Sequence, residues 1–492
     1  MPLRGARPAA AAALVALAAA APATAHASVR ITTDPSLRPA YKSSVPDYVS
    51  RCAPGKPLRF SVSATGGDEV AIGSGPARHG SFTVDVPVQT ASDVTVRVTS
   101  SGQAKTHHVR CLPQDFPDWT THRHGTPQAQ WYVITPLGPR PSGYVAVFDA
   151  RGVPVWWFYS STYGPWDGKL LPNGNLIWAR QLNDLFSVND AVGWEEHSLD
   201  GKTLRVLKTQ GTPTDWHDLE PMPNGHFLLE CYRPRSHVDL SSHGGPKDAN
   251  VYDGEIQELD VSGKRVWSWN SKDHIKLDEI RWWKWLKDRQ KKRPPDKRVY
   301  DLVHLNSVEP DGDGVIVSSR YLDAVFRIDK RSGRVTWKLG GTRTKRSLAI
   351  SNDPLASHPF SGQHDARKYR DGTVTVFDNG TLEKRPPRVV RYRIDTNART
   401  ARLVEGFGQS DVPFSGWGGS ARKLPGGNWV MQWGGTALMT ERTPGGKRVL
   451  DIDFKDDMHS YRAFPIAKGR VSAQSFRRGM TALAQSGAAG GR

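Results

Sequence analysis

Short runs of alternating apolar and polar residues recur along almost the whole chain, separated by turn-forming residues. Residues 59–63 and 93–98 alternate at every position, the period of a strand with one buried face. Later in the chain, Asn-Gly, Asp-Gly or Gly-Gly pairs follow apolar strands, and such pairs supply the positive φ of tight hairpins. These turns lie at residues 171–174, 222–225, 310–314, 369–372 and 424–427. The pattern predicts an all-β protein.

A second hairpin signal, a glycine turn leading into an aromatic or apolar strand, accompanies several of these turns. It occurs at residues 149–157, 262–267, 332–337 and 445–450. Two hairpins make four strands per unit, and four-stranded units of about 40–60 residues are typical of propeller blades. We therefore predict a six-bladed β-propeller over residues 128–468.

The hairpins fix a common register for the units. One position of the first hairpin turn serves as the reference in each unit, and it is occupied by Pro172, Pro223, Pro310, Arg370, Pro425 and, in a weaker sixth unit, Pro465. The residues six places before these positions are, in the same order, Trp166, His217, His304, His364, Gly419 and His459. Equivalent positions of successive blades lie on one ring, so these histidines should converge on a central site. The alternative is that a histidine bonds a neighbouring blade, and for His459 the two interpretations stay open.

Further polar residues fall near this ring. Arg320 and Arg180 each lie six residues after a turn glycine, and Asn306 lies two residues beyond His304, on the same face of a regular strand. Guanidinium groups beside imidazoles suit an anion with several oxygens, such as sulfate, phosphate or carboxylate. Salt bridges to nearby acidic residues are the structural alternative for the arginines. A three-histidine metal site is a competing interpretation, but we predict no metal.

Residues 28–120 precede the repeats and show alternating strands with Gly/Ser/Pro turns. They predict a small β-sandwich domain of the Ig-like kind, followed by a linker over residues 113–127. Cys52 and Cys111 flank this strand-rich segment and should form a disulfide, which leaves Cys231 buried and reduced.

The long gap between the units of His217 and His304 predicts an insertion at about residues 274–298. It contains three tryptophans among ten Lys and Arg residues. An amphipathic helix there could act as a lid or touch an anionic surface, or it could pack on the flank of its own domain. Residues 472–492 are rich in Gly, Ala and Ser and are predicted to form a disordered tail.

Residues 1–27 have the pattern of a secretory signal peptide. Arg4 and Arg7 precede an alanine-rich apolar run, and residues 25–27 form an A-x-A cleavage site. No Arg-Arg pair is present, so we expect Sec export, cleavage near Ala27 and a secreted or cell-envelope protein. No later segment is predicted to span a membrane.

The formal net charge is +18, which falls to +16 when Arg4 and Arg7 are removed with the signal peptide. An anionic cell-surface polymer is a candidate partner for such a basic secreted protein, and a solvated basic surface is the alternative. We predict no nucleic-acid partner.

Three stretches resemble the bacterial arylsulfate sulfotransferase (arylsulfotransferase) family. They are residues 217–225, residues 301–307 together with 318–320, and residues 363–365 together with 377–380. The resemblance covers about residues 128–468. It implies a six-bladed propeller that moves a sulfuryl group from an aryl sulfate to a phenol, without a cofactor.

By the same resemblance, His364 would be the nucleophile and form a transient sulfohistidine. His217, His304 and Arg320 would bind the sulfuryl oxygens, and Asn306 would assist. Arg180 and His459 are further candidates for substrate binding, from the register alone. A neutral imidazole is a competent nucleophile near neutral pH, and a covalent intermediate predicts ping-pong kinetics.

Two other functions fit parts of the pattern. A propeller with a basic mouth could bind an anionic ligand without turnover, and it would then form no covalent adduct. A quinone-dependent dehydrogenase would explain the recurrent tryptophans, but the sequence lacks a convincing set of calcium ligands.

Overall fold

The chain is described here as a computed structural model that covers residues 29–138, 143–181, 192–455, 457–487 and 489. The signal peptide predicted at residues 1–27 lies outside the described residues. Strands dominate the described part, and the predicted all-β fold is confirmed.

The N-terminal domain consists of two sheets that share one hydrophobic core. One sheet has the strand order β1-β3-β5 and the other the order β2-β7-β6-β4. The strands are β1 (Val29–Asp34), β2 (Asp47–Arg51), β3 (Leu58–Ala64), β4 (Glu69–Ile72), β5 (Gly80–Val86), β6 (Asp93–Ser100) and β7 (Gln103–Leu112). Leu58, Phe60 and Val62 alternate with more exposed residues, as the sequence pattern predicts. The Cys52–Cys111 disulfide is confirmed, and Cys231 is free and buried. The Ig-like relationship stays a prediction.

Six sheets follow in the described part of the chain, numbered here in chain order, and each is built around a four-stranded antiparallel meander. Two sheets include a strand from a distant part of the chain. Sheet 6, the last, includes β8 (Trp119–Arg123), which precedes sheet 1, and sheet 1 includes the last strand of the chain, β34 (Ala463–Ala467). The remaining strands of sheet 1 are β9 (Ala129–Ile134), β10 (Gly143–Asp149) and β11 (Pro154–Ser160). Sheet 2 contains β12 (Tyr163–Leu170), β13 (Leu176–Gln181), β14 (Gly193–His197) and β15 (Thr203–Leu207). Sheet 3 contains β16 (Thr214–Pro221), β17 (Phe227–Val238), β18 (Ala249–Leu259), β19 (Arg265–Asn270) and β20 (Val299–Asp301).

The chain continues through three more sheets of the same kind. Sheet 4 contains β21 (Leu305–Asp311), β22 (Gly314–Ser319), β23 (Ala324–Asp329) and β24 (Val335–Gly340). Sheet 5 contains β25 (Ala349–Ser351), β26 (His364–Lys368), β27 (Thr373–Asp378), β28 (Arg388–Asp395) and β29 (Thr400–Gly408). Sheet 6 contains β30 (Ser420–Lys423), β31 (Trp429–Gln432), β32 (Leu438–Arg442) and β33 (Arg448–Phe454). The predicted hairpin turns have the expected backbone, with φ of +83° at Gly225 and +92° at Gly427.

The six sheets form a closed ring, which makes the body a β-propeller. Their innermost strands, β12, β16, β21, β26, β30 and β34, each lie against the next, and β34 lies against β12. Strand β9 pairs with β34, so the C-terminal end of the chain completes the first sheet. The predicted linker over residues 113–127 is wrong, because β8 pairs with β33 along the outer edge of sheet 6. Pairing of this kind covers a strand edge that would otherwise be open.

The predicted insertion contains one α-helix and packs on sheets 3 and 4. Helix α1 (Trp283–Lys291) is flanked by 3₁₀ turns at Ser271–Asp273, Leu277–Glu279 and Pro295–Lys297. Ile280, Trp282 and Leu286 are buried in the core of these two sheets. The apolar residues of the insertion therefore fix it to its own domain.

The prediction of a disordered tail over residues 472–492 is wrong for residues 472–487, and residues 488 and 490–492 lie outside the described part of the chain. Residues Ala473–Ser486 form helix α2, and Phe476, Met480 and Leu483 are buried against sheet 1. These residues recur at helical spacing on one face, a signal that the Gly/Ala/Ser-rich composition hides. Arg477 on the same helix pairs with Asp47 of the N-terminal domain at 2.7 Å. Among the described residues, no helix is both long and apolar enough to cross a membrane.

Candidate functional site

A cavity of about 550 Å³ opens near the beginnings of the inner strands, where the predicted histidines converge. His217 lies within β16, His304 immediately precedes β21, and His364 begins β26. All three line the cavity, together with Arg320 and His459. The ring centroids of His217 and His304 are 4.7 Å apart. The common register of the repeats therefore brings residues from separate sheets into one site.

The hydrogen bonds of His364 fix which nitrogen carries the proton. Its Nδ1 lies 2.9 Å from the carbonyl oxygen of Gly362 and 2.8 Å from Oδ1 of Asn379. The amide orientation of Asn379 follows from its nitrogen, which donates to the carbonyl of Gly418 at 3.0 Å and to Ser415. Both neighbours of Nδ1 are acceptors, so Nδ1 must be the donor. The lone pair is then on Nε2, which accepts from the Gly418 N–H at 3.2 Å.

The surroundings of His364 also favour its neutral form. Burial lowers the pKa of the imidazole well below its usual value, and the positive charge of Arg320 lowers it further. The next residue, Asp365, has a φ of +54°, a left-handed conformation that is uncommon for residues other than glycine. Such conformations cluster at functional sites, where the surrounding structure holds them in place.

The other two histidines are each oriented by a carboxylate. His217 Nδ1 lies 2.8 Å from both carboxylate oxygens of Asp215, and its ring stacks on Trp216 at 3.9 Å between centroids. His304 Nδ1 lies 2.5 Å from Oδ2 of Asp301. In both rings Nδ1 is occupied, which leaves Nε2 as the nitrogen available to a ligand.

Asp301 and His304 form a close, mostly buried pair. Burial raises the pKa of Asp301 to about 7. Burial also lowers the pKa of His304 well below its usual value, and the charges of His217 and Arg320 add to that shift. The carboxyl of Asp301 therefore takes up a proton near neutral pH, whereas the imidazole of His304 stays neutral there.

Arg320 supplies a buried positive charge to the cavity. Its Nη2 donates to the carbonyl of Gly416 at 2.7 Å, and its guanidinium lies 4.2 Å from the ring centroid of Trp282. Its Nε is buried and has no hydrogen-bond partner among the described residues. A buried guanidinium with a free donor is suited to binding an anion.

Of the three remaining predicted site residues, one lines the cavity and two do not. His459 lines the cavity, where burial lowers its pKa and its ring meets Trp417 at 5.0 Å between centroids. Asn306 does not line the cavity, because its side-chain amide donates to the carbonyl of Gln363 at 2.7 Å. Arg180 does not line it either and forms an ion pair with Glu195 at 2.8 Å. The salt-bridge alternative is therefore the one seen for Arg180.

Comparison with protein families gives one decisive match. The family described as Arylsulfotransferase (ASST) matches residues 124–464, which include every residue that lines the cavity.

The chain belongs to the arylsulfotransferase (ASST) family.

Comparison with curated proteins finds no significant match. Solved structures that resemble the chain include a protein of unknown function from Bacteroides caccae, at 11% identity and a TM-score of 0.41. That match covers 69% of this chain and 99% of the other. The β-propeller domain of Cps50 (Swd1) from Myceliophteria thermophila is 12% identical with a TM-score of 0.36, and the match covers 67% of this chain and 87% of the other.

In this arylsulfotransferase-family chain, Trp and Tyr rings form a large part of the cavity wall, and the register argument missed nearly all of them. They come from five sheets and the insertion: Trp166, Trp216, Tyr252, Trp285, Tyr321, Trp417 and Tyr461. Asp215, Asp301 and Asn379, which orient the histidines, were also missed as site residues. Asn379 lies in one of the stretches that carry the family resemblance, so a signal for it was present.

A network of buried ion pairs lies behind the histidines. Its members occupy the inner strands, mostly one or three residues after the register position: Asp167, Lys169, Asp218, Glu220, Glu309, Asp365, Arg367, Arg422 and Arg462. Asp218 is at its centre, 2.8 Å from both Lys169 Nζ and Arg367 Nη2, and 3.1 Å from Arg462. Burial alone would raise the pKa of Asp218, but these three cations hold it well below its usual range.

The network connects strands that are distant in sequence. Asp218 in β16 meets Arg367 in β26 and Arg462 before β34, and each of these arginines also contacts Asp365. Because Asp218 and Asp365 directly follow His217 and His364, the network holds the backbone from which two of the site histidines project. The described residues contain no group of three or more His, Cys, Asp or Glu side chains arranged to hold a metal ion.

Proposed function

We propose that the protein transfers a sulfuryl group from an aryl sulfate to a phenol through a sulfohistidine on His364. The observation that carries the proposal is the Nε2 lone pair of His364, held by its Nδ1 hydrogen bonds in a cavity lined by three further histidines, Arg320 and aromatic rings. Membership of the arylsulfotransferase family supports the reaction class. The Cys52–Cys111 disulfide supports a site of action outside the cytoplasm.

In the first half-reaction, the Nε2 lone pair of His364 attacks the sulfur of the aryl sulfate. An N–S bond forms, the S–O bond to the aryl group breaks, and its electron pair leaves with the phenolate. Asn379 and the carbonyl of Gly362 accept the Nδ1–H hydrogen bond, which stabilises the positive charge that develops on the imidazole. Nε2 must leave its hydrogen bond with the Gly418 N–H to react.

The negative charge that develops on the peripheral sulfuryl oxygens is stabilised by hydrogen-bond donors and cations near them. Arg320 supplies a cation, and the Gly418 N–H, released from Nε2, becomes a donor next to the reacting sulfur. Arg320 is held by the fold before the substrate arrives, so its guanidinium needs no reorganisation during the reaction, whereas the Gly418 N–H is freed only when Nε2 turns to the sulfur. The aromatic wall receives the aryl ring of the donor and, afterwards, that of the acceptor.

In the second half-reaction, an acceptor phenol attacks the sulfur, the N–S bond breaks, and its electron pair returns to Nε2 of His364. The phenol proton goes to Nε2 of His304, whose Nδ1 is held by Asp301. The arrangement of a histidine base oriented by a carboxylate suits proton transfer near neutral pH, where the lowered pKa of His304 keeps it neutral and able to accept a proton.

The two half-reactions should differ in pH dependence. Because the pKa of His364 is lowered, its neutral form persists below the ordinary imidazole value of about 6.5. The pre-steady-state burst of 4-nitrophenolate from 4-nitrophenyl sulfate should therefore stay flat between about pH 8 and 6. Transfer to a phenol should fall as the carboxyl of Asp301 gains a proton below pH about 7. An Asp301→Asn variant should lose this second dependence, and a burst that declines through pH 6.5 would contradict the assignment of His364.

Substitution of Arg320 by lysine tests whether sulfuryl transfer requires a planar guanidinium in the cavity. Lysine keeps the charge but loses the guanidinium fork and its contact with Trp282. The Arg320→Lys variant should lower kcat/KM for the donor by about 10²–10³-fold, the effect typical of losing one transition-state donor. Steady-state kinetics of Arg320→Lys measure it, with Arg334→Lys on the surface as the control. Equal activity of both variants would argue against a sulfuryl-binding role.

A further inference from the structure

The insertion presents two arginines to the cavity that the proposed reaction does not use: Arg289 in helix α1 and Arg293 just after the helix ends. Trp285, Arg289 and Arg293 all line the cavity, and both arginines are exposed, which places them at its opening. Arg289 lies 5.0 Å above the ring of Trp285, and Arg320 lies 5.8 Å from the same ring. A ligand whose sulfuryl group meets Arg320 can therefore carry a second charge within reach of Arg289.

Neither arginine forms an ion pair in the described part of the chain, although burial raises the pKa of Asp301 and the charge of Arg289 opposes that rise. Lys284 and Lys291 on the same helix pair with Asp288. Arg289 and Arg293 have no carboxylate partner among the described residues. Burial is the main cause of the lowered pKa of His304, yet the charge of Arg289 contributes to it, so its field reaches the site.

The cavity is also larger than a single-ring substrate requires. Its volume of about 550 Å³ lies in the range of pockets that enclose ligands with several rings, roughly 300–1,000 Å³. Aromatic rings line it from the histidines out to Trp285. Such a wall suits a flat, extended ligand rather than one phenyl group.

We infer that Arg289 and Arg293 form an anion subsite that selects multi-ring phenols or aryl sulfates with a second anionic group far from the reacting oxygen. The identity of the reacting oxygen rests on the proposed function. The subsite itself rests on the two unpaired cations at the opening of an aromatic cavity, where partial exclusion of water strengthens a contact between opposite charges.

A matched pair of phenols tests the subsite: 7-hydroxycoumarin-4-acetic acid and its methyl ester. They share one ring system and one phenol, and they differ in the remote carboxylate. Binding is measured by coumarin fluorescence, and kcat/KM for transfer is measured with 4-nitrophenyl sulfate as donor. The wild type should prefer the acid by about tenfold at low salt, as expected for two partly exposed ion pairs. The preference should shrink as salt is added.

The Arg289→Gln/Arg293→Gln double variant should lose the preference in both measurements. Lys284→Gln removes the same kind of charge from the same helix, where the side chain is 95% exposed, and should keep the preference. Thermal unfolding checks the fold of each variant. If the double variant does not fold, the single variants and the salt dependence of the wild type decide the question.

The possible outcomes separate the subsite from the reaction. An acid preference that depends on the two arginines in binding, without any transfer, would support the subsite and remove the proposed function. Transfer to both phenols without an acid preference, or with one that the double variant retains, would overturn the subsite and leave the proposed function standing.

Discussion

The His364→Asn variant is expected to lose sulfuryl transfer by about 10⁴-fold or more, the scale of removing a covalent nucleophile. Asparagine cannot replace the Nε2 lone pair, and its amide would leave the acceptor oxygens of Gly362 and Asn379 without their imidazole donor. The measurement is phenol release from 4-nitrophenyl sulfate in the presence of a second phenol. The wild-type protein mixed with donor alone should carry one added sulfuryl group on the peptide that contains His364, and the variant should not.

His237→Asn is the matched control for this experiment. The His237 side chain is 86% exposed and does not line the cavity, so its loss should leave transfer unchanged. An adduct on another residue, or transfer by the His364→Asn variant at more than a few per cent of wild type, would remove His364 from the role of nucleophile. Anion binding that is unchanged by the variant and no adduct on the wild type would instead favour a propeller that binds without turnover.

The Asp218→Asn variant should be the most damaging to stability among substitutions in the ion network. Asp218 is buried and contacts Lys169, Arg367 and Arg462. Removing its charge leaves these cations undercompensated in the interior, a change that typically costs about 3–5 kcal/mol. Urea unfolding of the full chain, followed by tryptophan fluorescence, should show the loss as a lower midpoint. Activity should fall as well, because the adjacent His217 is positioned by the same stretch of backbone.

The effect of pH on this contribution follows from the lowered pKa of Asp218. A carboxyl group with a depressed folded-state pKa stabilises the fold above its unfolded pKa, about 3.9, and the stabilisation disappears as the pH falls through the folded value. Wild type and Asp218→Asn should therefore differ fully at neutral pH and converge only in strong acid. Asp313→Asn is the control, since its side chain is 80% exposed and pairs with Arg327 on the surface. It should cost at most about 1 kcal/mol. Equal losses in the two variants would contradict a structural role for the network.

Two predicted residues show where local patterns stop being informative. Arg320 and Arg180 occupy the same place after a turn glycine, but Arg320 begins a 3₁₀ turn beyond the end of β22, whereas Arg180 still lies within β13. One side chain enters the cavity and the other pairs with Glu195 on the neighbouring strand.

The predicted place of Asn306 beside His304 is wrong for a related reason. His304 has a φ of +49° and precedes β21, and the pairing of β21 with β22 is irregular between Leu305 and Ser307. The alternation of faces that placed Asn306 beside His304 is therefore interrupted.

The sequence by itself determined the β-propeller, the disulfide and the convergence of His217, His304 and His364. Each depends on a signal that repeats locally: strand alternation, turn glycines, and a fixed distance from turn to inward-facing residue. Only the tertiary structure decided that α1 forms one wall of the cavity, that α2 packs on sheet 1, that β8 completes sheet 6, and that buried ion pairs lie behind the site. These features join residues that are far apart in sequence, and their geometry depends on how whole sheets pack. A single sequence indicates which face of each strand is buried, but it does not indicate which residues of one sheet contact those of the next.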